Sequence, residues 1–419
     1  MDRRRFVKSL TKVGAFGLAG VAASSLAWYN YFDGPVFNPC MSGKLPQHLW
    51  DHELMQLAFE NVDPTNLWDC HFHLIGNGLK PSIDSKPSGV WLSPNMSSYS
   101  SPLQRLQYSF YMNAGCIQEP EHADKIYLQN INRLNKQLPA GVRFMLLAFD
   151  YHYDDNGQVD RDMSTFYVPN EYAARIAGQF EHFEWIASIH PYREDALEEL
   201  EWCAAHGARA VKWLPPAMNI DPSSKRCEKF YDKLVSLNIP LLTHAGEEKA
   251  VHSEELQVLS NPLLLRKPLD RGVKVIVAHC ASLGENEDLD SKSRKMTSNF
   301  ELFSRLMNEP QYGNNLKADI SAINLFNRDI DEIRKLLKNQ HWHSRLLYAS
   351  DFPLPGVIPI ISVKNLVSHG LLKPQQVSFL NEVRQYNSWL FDFLVKRFMA
   401  ADGVRFADEC FATRGHFVD

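Results

Sequence analysis

The sequence lacks most features that would mark a non-enzymatic class. It has no Lys/Arg-rich tract outside its first dozen residues, and its formal net charge of -5 gives no basic field for a nucleic-acid backbone, so no nucleic-acid partner is expected. No internal repeat or low-complexity segment is present, which excludes repeat arrays and disordered linkers. The seven cysteines show neither CxxC nor zinc-ribbon spacing, and an odd number leaves at least one unpaired. A disulfide framework is therefore not expected to hold the fold, and Cys70 and Cys280 read as small packing residues. A Gly-rich phosphate turn after the first strand is also missing, which argues against an open doubly wound nucleotide fold.

What is present is an ordinary globular composition over 419 residues, 45% hydrophobic and 22% charged, enough for one large barrel or two medium domains. Apolar runs of strand length occur at 66–73, 142–150, 184–190, 208–214, 239–245, 273–281, 316–323 and 346–351. Helical patterns lie between them, at 170–183, 193–206, 223–237, 253–271, 299–307, 329–338 and 358–369. Eight such units over about 350 residues predict a (β/α)8 barrel. A Gly/Pro/Ser-rich excursion through residue 101 follows the first strand, with a helix at 103–113 and the first outer helix at 121–138; a loop of that length is expected to act as a lid. The predicted organisation is an N-terminal signal or anchor at 1–32, an extension at 33–65 carrying one helix at 47–60, a barrel at 66–398 ending in one long helix at 375–398, and an uninformative tail at 399–419.

Arg3-Arg4-Arg5-Phe6-Val7-Lys8 precedes an uncharged, Gly/Ala-rich run from 13 to 32. This resembles a twin-arginine export signal, with Ser25-Leu26-Ala27 as a small-x-small cleavage site. The same run is long enough to anchor the chain in a bilayer, so cleaved and anchored forms both stand. The resemblance implies the twin-arginine export machinery as a partner and a periplasmic or exported protein, with contact to the inner membrane only through that anchor.

The ionisable residues fall at strand ends, where a barrel of this kind builds its site. The first strand ends in His71-Phe72-His73, with both imidazoles on one face. The fourth carries Lys212, the fifth His244, the sixth His279 and the eighth Asp351. A histidine ending an apolar strand is commonly a hydrogen-bonded core residue, and Asp351 before Phe-Pro is compatible with a turn cap. Convergence of all six at equivalent strand ends is what a metal site requires. Weaker substrate-binding candidates are His152, His190, Arg193 and Trp213, beside Lys212 itself; Arg193 has the geometry to hold a carboxylate bidentately, or to sit in solvent.

With these motifs in place, residues 67–396, including Val-Lys-x-x-Pro-Pro and Asn387 in the closing helix, resemble the amidohydrolase superfamily. The narrower likeness is to amidohydrolase-related metal-dependent hydrolases that also include carboxymuconate-semialdehyde-type decarboxylases. The resemblance implies that His71, His73, His244 and Asp351 hold a divalent metal, expected to be zinc, with His279 as a second-metal ligand or a catalytic base. In binuclear members a lysine at the position of Lys212 is carboxylated and bridges two metals; one metal, with Lys212 near it, is the preferred expectation. Asp351 would take a proton from the attacking water. The implied activity is hydrolysis of a C–N, ester or lactone bond of a small molecule, with a decarboxylase or lyase on the same barrel, or a non-catalytic binding protein, as alternatives. Substrate and oligomeric state are not encoded in these motifs.

Overall fold

The computed structural model describes residues 35–41, 43–248 and 254–418; the expectations for residues 1–32 lie outside them. The extension carries α1 (Gln47–Trp50) and α2 (Glu53–Phe59). The eight barrel strands are β1 (Trp68–His73), β2 (Arg143–Leu147), β3 (Phe183–Ile186), β4 (Val211–Trp213), β5 (Leu241–His244), β6 (Val275–Ala278), β7 (Leu316–Asp319) and β8 (Leu346–Leu347). After β1 come α3 (Pro102–Ala114) and α4 (Ala123–Asn135). The outer layer continues with α5 (Asn170–Ala177), α6 (Ala196–Ala205), α7 (Glu228–Ser236), α8 (Arg266–Asp270), α9 (Asn299–Asn308), α10 (Ile330–Lys338) and α11 (Val363–Ser368). The chain closes with α12 (Val377–Tyr386) and α13 (Ser388–Phe398).

All pairings among these strands are parallel, in the orders β1-β2-β3 and β4-β5-β6-β7-β8. Two seams join the sheets. Ala187 bridges to Val211 between β3 and β4, and Phe72 bridges to Phe352 beyond β8, where Asp351 N donates to His71 O at 2.9 Å and His73 N to Phe352 O at 3.0 Å. The result is a closed (β/α)8 barrel, as the strand count predicts. Strand pleating separates two cores. Trp68, Cys70, Met145, Leu147, Ile186, Leu242, Ile276 and Leu347 fill the interior, whereas Phe72, Phe144, Leu146, Val211, Trp213 and Val277 belong to the larger core beneath the helices.

The strict alternation breaks once in β1. Asp69 pairs with Phe144 and Phe72 with Leu146, so Cys70 and His71 together oppose Met145. This β-bulge keeps Cys70 in the interior cluster and also turns His71 inward, while Phe72 returns to the outside between Phe144 and Phe352 at ring distances of 4.5 and 4.6 Å. Asp69, on the outer side just below the bulge, accepts from His71 N at 3.1 Å, Ser350 N at 3.0 Å, Ser350 Oγ and Trp389 Nε1 at 2.7 Å. One buried carboxylate thus ties β1, the end of β8 and α13 together.

Several expectations are corrected. The closing helix is two helices, because Asn387 takes an extended backbone, caps α13 at Leu390 N and donates to Leu134 O. The helix at 47–60 also breaks in two, at His52, whose ring accepts from Leu54 N. Residues 254–265 are 3-10 turns rather than a helix, and only Arg266–Asp270 is α-helical there. The tail is informative: Thr413 Oγ1 accepts from Trp68 N at 2.8 Å, and Phe417 and Val418 pack against the interior cluster as the barrel floor. Cys40 and Cys116 form a disulfide that ties the extension to the end of the α3 segment, while Cys70, Cys203, Cys227, Cys280 and Cys410 are free and buried. A bridge of this kind follows from spatial approach and not from spacing.

Removing Asp69 leaves four buried donors without their acceptor, each costing about 1–3 kcal/mol. Asp69→Ala is expected to lower the unfolding free energy by at least about 3 kcal/mol in denaturant titration, and Trp389→Phe, which deletes one donor and keeps the carboxylate, by about 1 kcal/mol.

Candidate metal centre

At the C-terminal mouth of the barrel a cavity of about 580 Å3 is lined by His71, His73, Lys212, His244, His279 and Asp351, all six strand-end candidates. Each is placed by its strand. Lys212 and His244 share the inward parity of Ala210 and Leu242, and Asp351 shares that of Leu347 and Ala349. His279 is out of phase with Ile276 and Ala278, and turns inward because its backbone is left-handed, φ 55°. Cys280 and Ala281 are left-handed too (φ 51° and 49°), as is Asp351 at φ 59°. Such non-glycine conformations cost about 1–3 kcal/mol each and are held by the surrounding fold.

The tightest group is His71, His279 and Asp351, whose ligand atoms all lie within 4.8 Å of one another and which are buried. His71 Nε2 is 3.4 Å from Asp351 Oδ1, and His279 Nε2 is 3.9 Å from Asp351 Oδ2. His73 Nε2 lies 3.0 Å from Asp351 Oδ1. His244 is one ring away, 5.3 Å from the His279 ring, with Nε2 3.2 Å from Gly246 O and Nδ1 3.5 Å from Glu248 Oε2. Lys212 Nζ approaches His71 Nε2 at 3.3 Å.

Asp319, at the end of β7, was not among the sequence candidates, yet it orients this group. His71 Nδ1 lies 3.0 Å from Asp319 Oδ2, and Ser321 Oγ donates to Asp319 Oδ1. A serine hydroxyl has one proton, so the 2.7 Å contact between His279 Nδ1 and Ser321 Oγ is donated by the histidine. Asp319 also accepts from His279 N at 2.9 Å and Ser321 N at 3.0 Å. Both imidazoles therefore carry their proton on Nδ1 and present the Nε2 lone pair to the cavity, the arrangement in which metal-bound histidines are usually held.

The charges suit the same purpose. Burial, with Lys212 adding to it, depresses the His71 pKa, and burial holds His279 well below the ordinary histidine value. Burial also lowers Lys212 and pushes His244 down to about 4. Burial alone would raise the two carboxylates, but the hydrogen bonds from His71 Nδ1 and Ser321 hold Asp319, and the one from His73 holds Asp351, below the usual range. Neutral imidazole nitrogens and an ionised carboxylate around one point fit a borderline divalent cation, and His71, His279 and Asp351 could hold one.

The four weaker candidates are corrected, since none lines the cavity. Trp213 has the outward parity of its strand, is buried, and donates to Ile189 O at 2.8 Å. His190 Nε2 donates to Met218 O at 2.7 Å while its Nδ1 accepts from Tyr192 N. His152 Nδ1 lies 2.9 Å from Ala217 O. Arg193 is spent on Asp150 and Asp195, at 3.1 and 2.7 Å. The remaining wall is largely apolar, with Leu103, Leu106 and Phe110 from α3, Phe149 and Phe166 after β2, and Ile360; Glu247, Glu248 and Arg328 add charge. The excursion after β1 forms part of this wall: Trp91–Leu92 pairs antiparallel with Phe166–Tyr167, and Leu92 and Met96 face the cavity.

An amidohydrolase family model matches residues 68–364. A search of curated proteins finds no match. Among solved structures, the chain is similar to a probable 2-pyrone-4,6-dicarboxylic acid hydrolase from Acinetobacter baumannii, at 14% identity over 77% of this chain and 96% of that one, with a TM-score of 0.41. It is similar also to 5-carboxyvanillate decarboxylase from Sphingomonas paucimobilis, at 9% identity over 76% and 98% of the two chains, TM-score 0.41. A third is 4-oxalomesaconate hydratase from Rhodopseudomonas palustris, at 16% identity over 76% and 95%, TM-score 0.37. The family match supports an enzyme.

His190 gives this region a pH signature. Burial pushes its pKa down to about 3, whereas an unfolded histidine takes its proton near 6.5. Below pH 6.5 the unfolded chain binds the proton and the folded chain does not, so stability present above that value is lost as pH falls toward the folded pKa. The loss is about 2 kcal/mol by about pH 5, and His190→Asn is expected to flatten that part of the profile in denaturant unfolding.

Proposed function

The chain belongs to the amidohydrolase family, and from that premise we propose that it is an exported, metal-dependent hydrolase acting on a C–N, ester or lactone bond of a small molecule. The observation that carries this reading is the convergence of His71 Nε2, His279 Nε2 and the Asp351 carboxylate within 4.8 Å, with both imidazole tautomers fixed by Asp319 and Ser321. His73, against Asp351, and His244, beside His279, are the side chains available to complete the set. We take the ion to be one zinc per chain. When bound, such an ion supplies Lewis acidity toward a water or a carbonyl oxygen.

The residues then divide the remaining work. Asp351 is ionised and has Oδ1 engaged by His73, so Oδ2 is the oxygen that can take a proton from an attacking water. His279, neutral with its Nε2 lone pair toward the cavity, is either a ligand or the second proton acceptor. Lys212, desolvated beside His71, is placed to donate to a substrate oxygen in its neutral or charged form, and carboxylation would turn the same position into an anionic ligand. Leu103, Phe110, Phe149 and Phe166 give the cavity an apolar wall that favours a substrate with an apolar body.

Elemental analysis of purified protein is expected to give about one divalent metal per chain. Asp319→Asn, which cannot accept both proton chains as a charged group, should weaken metal affinity about 10–100-fold with the fold intact. His279→Asn with metal retained and activity lost would make His279 the base; loss of metal would make it a ligand. Two metals together with a carboxylated Lys212 would replace the mononuclear centre. Turnover in isotopically labelled water is expected to place solvent oxygen in the product, and carbon dioxide release without that oxygen would assign a lyase.

Export is supported by Arg3-Arg4-Arg5-Phe6-Val7-Lys8 and by the Cys40–Cys116 bridge, which is the kind of bond that persists in oxidising compartments. Replacing Arg3 and Arg4 by Lys is expected to retain the chain in the cytoplasm with both thiols reduced, as read by fractionation and thiol alkylation.

A further inference from the structure

One wall of the cavity is apolar on its outer side as well as its inner one. Leu103 and Leu106 line the mouth and are still 79% and 52% exposed. Leu103, Leu106 and Phe110 succeed one another at helical spacings of three and four, which places them in one stripe on α3. Phe37, 47% exposed, stacks on Phe110 at 5.3 Å and prolongs the stripe, with exposed Val36 beside it. Singly exposed apolar residues are ordinary, but a continuous strip that runs into a cavity marks an interaction surface.

The strip is firmly built. Asn38 N donates to Asn113 Oδ1 at 2.7 Å, Asn113 Nδ2 returns a bond to Asn38 O at 3.0 Å, and the Cys40–Cys116 bridge closes the same junction. Its chain context identifies the occupant. Residues 13–32 are uncharged and long enough to enter a bilayer, and only Asp33, Gly34 and Pro35 separate them from Val36 and Phe37. Even at full extension the four steps from residue 32 to residue 36 span at most about 14 Å, so a membrane holding 13–32 lies within that distance of the strip. On the flank of α3, Arg105 stacks on exposed Tyr99 at 3.7 Å, a cation and aromatic pair suited to the headgroup level.

We propose that the α3 stripe with Val36 and Phe37 rests on a lipid bilayer, so that the cavity opens toward the membrane and receives lipid-soluble, amphiphilic carbonyl compounds from it. Their apolar body lies along Leu103, Leu106 and Phe110, and their carbonyl end reaches His71, His279 and Asp351. The substrate half of this inference rests on the hydrolase reading above; the surface half does not.

The test uses the full chain, spin-labelled at Leu106→Cys or, as a second reporter on the stripe, Leu103→Cys, and reconstituted with vesicles of phosphatidylcholine and phosphatidylglycerol. Arg405→Cys, exposed on the 400–405 hairpin that Asp402 ties to Lys338 at the C-terminal end of α10 and outside the cavity lining, is the reference. Labels at 103 and 106 are expected to collide more with dissolved oxygen than with a water-soluble nickel complex once vesicles are added, with the order reversed at 405. Nickel access at 103 and 106 in vesicle-bound protein would overturn the proposal, as would failure of the chain to bind vesicles. Immobilisation of these labels before vesicles are added would overturn it too, because the stripe would then be covered by residues 1–34 or by a second copy, which light scattering separates. Immersion without turnover of a vesicle-borne long-chain ester would retain the surface and overturn the substrate half.

Discussion

The carboxylate of Asp319 is the interaction on which the centre depends. It is fully buried, and it receives one proton chain from His71 Nδ1 and another from His279 Nδ1 through Ser321. Burial of a carboxylate is unfavourable unless it is paired or hydrogen-bonded, and here four donors, the His71 imidazole among them, offset that cost. The same bonds leave both Nε2 lone pairs aimed at one region beside Asp351. A site of neutral nitrogens next to an anion is thereby fixed before any ligand arrives, and the protonation states that metal binding requires are those the fold already imposes.

A second buried carboxylate secures the frame around the first. Asp69 joins β1, the end of β8 and α13, and the β8-to-β1 seam runs through the backbone of Asp351, His71, His73 and Phe352. The seam that closes the barrel is thus also the seam that sets the separation of the site's side chains. Stability and geometry share these hydrogen bonds, which explains why left-handed backbone at Asp351 is tolerated here, whereas His279 is held by its N–H bond to Asp319.

Much of this was legible in the sequence. Eight apolar runs gave eight strands, because buried parallel strands are continuous in hydrophobicity, and the residues ending five of them reached one cavity. Asp319 was missed because an aspartate closing Leu-Lys-Ala-Asp is indistinguishable in sequence from a turn or cap residue; a strand-end reading applied evenly to the seventh strand would have included it. Trp213, His152, His190 and Arg193 failed for a different reason. They lie one position out of inward phase or beside a local acceptor, and one residue of phase decides which side of the wall a side chain occupies. The breaks at His52 and Asn387 were hidden because apolar periodicity continues across them, and only a side chain's capping bond marks the interruption. The Cys40–Cys116 contact depends on tertiary proximity alone.

The bulge in β1 has a wider meaning. Below it, Trp68 and Cys70 keep time with the barrel's interior packing; above it, His71 and His73 follow a phase of their own. One supernumerary residue therefore lets a single strand obey two masters, the hydrophobic register that holds eight strands together and the chemical register that gathers nitrogen ligands. Because the two are offset, variation among the residues above the bulge can reshape the pocket without disturbing the layer beneath. The molecule in this sense keeps its architecture and its chemistry in separate compartments of the same strand.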